Sequence, residues 1–167
     1  LFIFIRIKSM RGFFISFEGI DGCGKSTQID FLAKHFIKMK KPVIRTEEPG
    51  GTAGSNEIRK ILLRENNFHW SVETEALLFM AARNDHVEKV IKPAIKDNKI
   101  VICDRFMDST LVYQGMRSPK AKKLSLKLFE LIAINPDITF LIDMEPEIAL
   151  KRALSRSTEE DRFENYG

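Results

Sequence analysis

The chain has 167 residues, of which 44% are hydrophobic and 30% charged, a balance that excludes a disordered chain and is typical of one soluble domain. It has no apolar run long enough to span a membrane, and its two cysteines, Cys23 and Cys103, are too few for a disulfide framework or a metal site. The net charge of +4 permits nucleic-acid binding, but the basic residues are scattered, so a site for small polyanions explains the excess equally well.

The first residues, LFIFIRIK, form an apolar stretch that is too short for a signal peptide, and its charges follow the apolar residues instead of preceding them. We interpret residues 1–9 as an extension or an extra edge strand, with Met10 as the functional start. The three histidines, His35, His69 and His86, lack the spacing of metal ligands, and we expect them at the surface or at helix ends.

The predicted elements of the first half alternate between strands and helices. Phe13–Phe17 is a short apolar run that predicts a buried strand, and Lys25–Met39 has apolar residues at helical spacing. Pro42–Thr46 predicts a second strand, which the turn residues Glu48–Gly51 end. The apolar spacing within residues 58–62 then predicts another helix.

The second half continues the alternation. Ser71–Ile95 predicts a long helix that Ser71 caps, with acidic residues in its first turn. Lys99–Asp104 and Ile138–Asp143 predict strands, Leu124–Ile134 predicts a helix, and Pro146 suits the first turn of a further helix. The alternation indicates an α/β fold with a parallel sheet covered by helices on both faces.

Ligands of parallel sheets bind at the carboxyl ends of the strands. Gly19, Glu48, Asp104 and Asp143 all lie at or just after the end of a predicted strand. We therefore expect the functional site along this edge of the sheet.

The stretch FEGIDGCGKSTQ contains the spacing G-x-x-x-x-G-K-S between a predicted strand and a predicted helix, which is the context of a phosphate-binding loop. In such a loop Lys25 reaches the β- and γ-phosphates and Ser26 is a ligand of Mg²⁺. The alternative is a chance match on a glycine-rich turn. Asp21 is unexpected there, because a carboxylate repels phosphate. A guanine-recognition motif N-K-x-D is absent from the sequence, which disfavours a GTPase switch.

The third predicted strand ends in Asp104, which could lie near Mg²⁺, and Arg105 follows it directly. A cation beside a magnesium site suggests a second anion, such as the phosphate of an acceptor. The alternative for Arg105 is simple pairing with Asp104 or Asp21, and the two interpretations are compatible because a paired arginine keeps spare donors.

Six segments in this order resemble the thymidylate kinases of the bacterial type: FEGIDGCGKSTQ, EEPGGT, NEIRKILL, TEALLFMAAR, VICDRFMDSTLVYQG and PDITFLIDMEPEIALKR. The resemblance implies a P-loop nucleoside-monophosphate-kinase fold, with a three-layer core at residues 10–152 and a short lid at residues 153–162 of a single kinase domain. It also implies that MgATP phosphorylates dTMP to dTDP, for dTTP biosynthesis, in a cytoplasmic homodimer.

The same resemblance implies roles for individual residues. Arg105 would hold the dTMP phosphate, Asp21 would lie near the 3′-hydroxyl and phosphate of the acceptor, and Tyr113 would lie near C2′. Phe79 would stack on thymine and Arg83 would donate to its O4, whereas Thr110 and Gln114 would contact the base edge and the deeper pocket and Arg59 would line the acceptor site. The loop that binds ATP would comprise Gly19, Ile20, Asp21, Gly22, Cys23, Gly24, Lys25, Ser26 and Thr27, with Ser26 and Asp104 as the magnesium ligands.

Phe79 and Arg83 are four residues apart, so they share one face of a helix, where a flat ring beside a fork of donors suits a pyrimidine. The alternatives are core packing for Phe79 and a solvated helix face for Arg83. Arg156 is the predicted catalytic arginine of the lid, with Arg152 and Arg162 as alternatives; an exposed helix balanced by acidic residues is the competing interpretation. Lys25 and Arg105 complete the predicted catalytic set.

The sequence departs from the family pattern at three places. Glu47 stands where arginine is usual, and residues 116–119 (MRSP) replace a Gly/Arg-rich turn. The printed chain also ends at Gly167, before the helix, fifth strand and final helix that we expect from the resemblance. The competing functions are another P-loop nucleotide or deoxynucleoside kinase and a non-catalytic nucleotide-binding switch.

Overall fold

The computed structural model describes residues 12–63 and 69–155. The predictions for residues 1–9, Met10, Arg156 and Arg162 concern residues outside these ranges. The strands are β1 (Phe13–Glu18), β2 (Val43–Glu47), β3 (Ile100–Asp104) and β4 (Ile138–Leu141). The α-helices are α1 (Lys25–Lys38), α2 (Ala53–Leu63), α3 (Val72–His86), α4 (Lys92–Lys96), α5 (Met107–Thr110), α6 (Pro119–Ile132) and α7 (Pro146–Leu154), with π-helical turns at Val87–Ile91 and Leu111–Gly115.

The four strands form one sheet in the order β2-β3-β1-β4, and every neighbouring pair is parallel. Each predicted strand is present within one or two residues of its predicted bounds. The predicted α/β fold with a parallel sheet is therefore confirmed, and β1 and β3 lie side by side at its centre.

The central strands β1 and β3 are buried on both faces because their apolar side chains alternate between two cores, whereas the outer strands β2 and β4 are only partly buried. On one face Phe14 and Val101 pack in a cluster with Met80 of α3 and Ile132 of α6. On the other face Ile15 and Ile102 pack in a second cluster with Ile29, Ala33 and Phe36 of α1. This pattern gives the three layers expected from the sequence.

The helix signals at Ser71 and Pro146 are confirmed. Ser71 Oγ accepts a hydrogen bond from the Thr74 backbone N–H at 3.1 Å, and Pro146 lies in the first turn of α7. The predicted long helix is interrupted by the π-helical turn before α4. Within the described residues, the helices are too short or too polar to cross a membrane.

The start of α6 differs from the prediction, which placed it at Leu124. The helix begins at Pro119, and Ser118 Oγ accepts from the Ala121 backbone N–H at 3.2 Å. The apolar periodicity begins only after a lysine-rich first turn, so periodicity alone missed the start. The Ser-Pro pair was the available signal, since serine is a favoured N-cap and proline a favoured first residue.

Ile102 and Ile37 offer a matched test of the core. Ile102 on β3 is fully buried, whereas Ile37 on α1 is 61% exposed. We expect Ile102→Ala to lower the free energy of unfolding by about 2–5 kcal/mol, because it leaves a cavity between the sheet and α1. Ile37→Ala should change it by less than about 0.5 kcal/mol. Equal denaturant midpoints for the two variants would contradict the described packing.

Candidate active site

A cavity of about 360 Å³ opens at the carboxyl edge of the sheet. All eight residues predicted to bind the acceptor line it: Asp21, Arg59, Phe79, Arg83, Arg105, Thr110, Tyr113 and Gln114. Gly22, Gly24, Lys25, Ser26 and Asp104 line it as well. Asp143, which the sequence also placed at a strand end, is exposed and does not contribute to this lining. The cavity therefore joins the phosphate-loop residues to the predicted acceptor residues.

The loop between β1 and α1 has the backbone of a phosphate-binding loop. Gly19, Gly22 and Gly24 have φ angles of 142°, 79° and 100°, in the region that glycine adopts without strain. Lys25 folds back over the loop, and its Nζ donates to the carbonyl oxygens of Gly19 at 2.9 Å and Ile20 at 3.0 Å. Burial, and then the nearby charge of Arg105, lower the pKa of Lys25. The ammonium is thus held where an anion would meet it.

Gly22 also packs closely against α7. A β-carbon added to Gly22 would lie 2.0 Å from the carbonyl oxygen of Ala149. The loop therefore has no room for an arginine at this position unless α7 moves.

Ser26 and Asp104 meet across the junction of α1 and β3, where Ser26 Oγ donates to Asp104 Oδ2 at 3.2 Å. The second carboxylate oxygen, Oδ1, is buried and has no hydrogen-bond partner in the described part of the chain. A hydroxyl beside an unsatisfied carboxylate oxygen is a set of hard oxygen donors, which suits Mg²⁺. The two predicted ligands thus fit the ion.

Arg105 follows β3 in a left-handed conformation with φ 66°, which is uncommon outside glycine. Its Nη2 donates to Asp21 Oδ1 at 2.5 Å, and its guanidinium lies 5.4 Å from the ring centre of Tyr113. Burial alone raises the pKa of Asp21, but the charges of Arg105 and Lys25 outweigh it and lower the pKa. Of the alternatives left open for Arg105, the structure contains the pairing with Asp21.

Glu18 fixes the loop that carries Arg105, and the sequence analysis missed it. Glu18 Oε1 accepts from the Phe106 backbone N–H at 2.7 Å, and Oε2 accepts from Ser109 Oγ at 2.6 Å. Ser109 Oγ in turn accepts from Arg105 Nη1 at 2.9 Å. Burial raises the pKa of Glu18, while the bonds from Ser109 and Phe106 oppose the shift. The only sequence signal was an acid at the end of a buried strand.

Arg83 is buried, so the solvated helix face considered as an alternative is excluded. Its Nε donates to Glu48 Oε2 at 2.6 Å, and its Nη2 donates to the Phe106 carbonyl oxygen at 2.9 Å. Both terminal nitrogens also lie within 3.2 Å of Thr110 Oγ1. The remaining contacts of Nη1 are to the sulfur atoms of Met80 and Met107, which are weak acceptors. Nη1 thus donates partly to weak sulfur acceptors, which a carbonyl oxygen of a ligand could replace.

Phe79 lies one helical turn before Arg83 and is half-buried, and it lines the cavity instead of joining either core cluster. Gln114 is almost fully buried, and neither of its amide atoms has a hydrogen-bond partner in the described residues. Unsatisfied buried amides are costly, so this one suits a ligand that supplies both a donor and an acceptor.

Arg59 lines the cavity, whereas Arg152, an alternative for the lid arginine, does not. Arg59 Nη1 donates to the Pro49 carbonyl oxygen at 2.7 Å and lies 3.2 Å from Glu47 Oε2. Glu47, the unusual residue before the EPGG loop, thus offsets part of this positive charge. Arg152 is exposed on α7, with Nη1 3.5 Å from the sulfur of Met144.

His35 and His69 are exposed and His86 lies at the end of a helix, as expected, but the burial of His86 was not predicted. It ends α3 and is fully buried, with Nδ1 2.9 Å from Glu48 Oε1. Glu48, His86 and Cys103 bring potential ligand atoms within 4.8 Å of one another. Because Glu48 already accepts from Arg83 and His86, we interpret this group as a hydrogen-bond network beside a fixed cation.

Comparison with known proteins places the chain in one family. The family model described as thymidylate kinase matches residues 17–166. A thymidylate kinase of Ruegeria pomeroyi is 48% identical over 160 residues, which span 95% of this chain and 76% of the relative, and one of Dinoroseobacter shibae is 50% identical over 157 residues, spanning 93% and 76%.

Among solved structures, the crystal structure of thymidylate kinase from Ehrlichia chaffeensis is 39% identical and matches with a TM-score of 0.73. The match covers 87% of this chain and 83% of that chain. These matches in sequence and in structure show that the chain belongs to the thymidylate kinase family.

Proposed function

We propose that the chain transfers the γ-phosphoryl group of ATP to the phosphate of dTMP, giving ADP and dTDP in the synthesis of dTTP. One observation supports this most directly: the phosphate-loop cation and all eight predicted acceptor residues line one cavity. Two polyanions bound there would meet with cations between them, as phosphoryl transfer requires. The family of the chain is the independent support.

Arg105 is proposed to bind the dTMP phosphate. Its guanidinium is already held by Ser109 on one side and by Asp21 on the other. The side chain of Asp21 is 43% exposed, so this ion pair can be exchanged for a phosphate without burying an unpaired carboxylate. Asp21 would then turn towards the sugar of the acceptor, which accounts for an acid in a loop built for anions.

Phe79, Arg83 and Gln114 are proposed to recognise the base. The charge of Arg83 is balanced by Glu48, so its remaining donor suits a neutral carbonyl such as O4 of thymine better than it suits a phosphate. The unsatisfied amide of Gln114 can pair with a ring edge that offers both a donor and an acceptor. Phe79 supplies the flat apolar surface for stacking.

Mg²⁺ is proposed to bind through Ser26 and Asp104, whose oxygen atoms are adjacent. When bound, the ion neutralises charge on the β- and γ-phosphates of ATP. Lys25 adds a positive charge at the same phosphates, and the backbone N–H groups at the start of α1 face them. Together these groups hold the donor in line with the acceptor.

In the proposed reaction an oxygen of the dTMP phosphate attacks the γ-phosphorus, and the bond from that phosphorus to the β–γ bridging oxygen breaks, so that ADP leaves with the bonding electron pair. The attacking phosphate has a second pKa of about 6, so it is largely a dianion at neutral pH and needs no strong general base. Positioning by Arg105 and charge neutralisation by Lys25 are then the main contributions of the protein.

We further propose that residues 153–162 form a lid with Arg156 as its catalytic arginine. We also propose that the protein is a cytoplasmic homodimer. Exposed leucines on the packed helices α3 and α6 support a dimer contact there, since Leu77 is 47% and Leu131 80% exposed. The close contact of Gly22 with α7 supports a lid arginine, because the loop itself has no space for one.

The choice of acceptor can be tested with one assay. ADP release should be fastest with dTMP and slower with dUMP, UMP, CMP, AMP and thymidine, because only dTMP offers thymine, a 2′-deoxy sugar and a phosphate together. Equal rates with all six would remove the claim of specificity. Release with none of them would favour the non-catalytic switch.

Lys25→Met should lower kcat by about 10³-fold or more, by analogy with other groups that contact the transferring phosphoryl. Lys34→Met, on the exposed side of the same helix, is the matched control and should keep the wild-type rate. Normal turnover by Lys25→Met would contradict the proposed mechanism.

Arg83→Lys tests base recognition while preserving a cation beside Glu48. dUMP and dCMP differ only at the base edge. The inhibition constant of dCMP divided by that of dUMP, both measured against dTMP phosphorylation, therefore isolates this recognition. The ratio should fall by about tenfold, because a lysine cannot pair with Glu48 and donate to O4 in the arginine geometry. Arg45→Lys, at an exposed ion pair with Asp30, should leave it unchanged. An unchanged ratio for Arg83→Lys would exclude Arg83 from the base site.

A further inference from the structure

We propose that His86 is a positioning residue for base selection: it fixes the carboxylate of Glu48, which in turn fixes the guanidinium of Arg83 at the cavity. The inference rests on the proposed function, in which Arg83 contacts the base. It concerns a residue that does not line the cavity itself.

The network begins at β2 and ends at the cavity. Thr46 Oγ1 lies 2.6 Å from His86 Nε2, and His86 Nδ1 lies 2.9 Å from Glu48 Oε1. The other carboxylate oxygen, Glu48 Oε2, accepts from Arg83 Nε at 2.6 Å. A carboxylate oxygen accepts, so Nδ1 of His86 donates to Glu48, and Thr46 Oγ1 is the hydrogen-bond partner of Nε2.

The network is rigid because its central groups are almost inaccessible to solvent. The side chains of His86, Glu48 and Arg83 are 0%, 2% and 2% exposed. Each oxygen of Glu48 has one partner, so rotation of the carboxylate would leave a buried donor unpaired, which costs free energy. The histidine thus selects one orientation of the carboxylate, and the carboxylate selects one orientation of the guanidinium.

The loop after Glu48 is shaped around the histidine. Gly51 has φ 83°, and a β-carbon added there would lie 2.4 Å from Cδ2 of His86. Gly51 therefore permits the imidazole to approach the backbone of the loop that carries Glu48. This contact holds the loop and the ring together, so the position of Glu48 depends on His86 through packing as well as through the hydrogen bond.

Position matters more for Arg83 than charge does. Its Nη2 is committed to the Phe106 carbonyl oxygen, and Nη1 has weak sulfur contacts beside Thr110. A small rotation of the guanidinium about its Cδ–Nε bond would direct Nη1 away from a base carbonyl while the ion pair with Glu48 stays formed. Loss of His86 should therefore reduce selectivity between base edges more than it reduces binding of the phosphate or of ATP.

The experiment compares His86→Asn with His86→Leu in the full chain. The asparagine amide can donate to Glu48 from a position near Nδ1, whereas leucine cannot donate. The readout is the ratio of the dCMP and dUMP inhibition constants, which does not depend on the fraction of active enzyme. We expect His86→Leu to lower this ratio about threefold or more, His86→Asn to preserve most of it, and the KM for ATP to stay unchanged in both.

Two further variants keep the test decisive. Thr46→Val removes the partner of Nε2 and should lower the same ratio to a smaller extent even if His86→Leu does not fold. His35→Asn, at an exposed histidine on α1, is the matched control and should keep the wild-type ratio. A wild-type ratio in His86→Leu would overturn the inference. If His86→Leu does not fold, a wild-type ratio in Thr46→Val would overturn it instead. Equal losses in the leucine and asparagine variants would overturn it as well.

The outcome for Arg83→Lys separates the two levels of the argument. If Arg83→Lys does not change the ratio, the base assignment in the proposed function fails. If Arg83→Lys lowers the ratio while His86→Leu leaves it intact, only the positioning role of His86 fails.

Discussion

Buried positive charge is the constraint on which this site depends. Lys25, Arg83 and Arg105 all line one cavity and lie largely out of water, and an unpaired buried cation costs several kcal/mol. Each therefore lies beside a carboxylate. Asp21 pairs with both Lys25 and Arg105, and Glu48 pairs with Arg83. The carboxylates make the cations tolerable before an anion binds, and they also decide which cations can later change partners.

The parallel sheet makes these pairings possible. In the register of β1 and β3, Phe17 lies opposite Asp104, and in that of β2 and β3, Glu47 lies opposite Asp104. The ends of three adjacent strands therefore reach the same edge at the same height. The phosphate loop, the turn that carries Arg105 and the loop that begins at Glu48 must converge there, whatever their distance along the chain.

The sequence was sufficient for the strands, the phosphate loop and the set of residues that gather at the cavity, because their signals are local or belong to the family pattern. It was insufficient for Glu18 and His86, because burial of a polar side chain depends on partners far along the chain. Ser109 lies 91 residues from Glu18, and Glu48 lies 38 residues from His86. Neither acid nor imidazole has a spacing that reveals such a partner, and an isolated histidine is typical of a surface. The start of α6 was missed for a different reason, since its cap preceded its apolar pattern.

The two arginines at the centre of the cavity differ in how firmly they are paired, and this difference supports the different roles proposed for them. Asp21 is 43% exposed and can return to water when a phosphate takes its place on Arg105. Glu48 is 2% exposed and has no such route, so Arg83 keeps its partner whatever binds. An exchangeable pair recognises charge, because the incoming anion replaces the carboxylate. A fixed pair recognises shape, because only the direction of its remaining donors is left to discriminate. The proposed binding of a phosphate dianion at one end of the cavity and a neutral base at the other would use one pair of each kind.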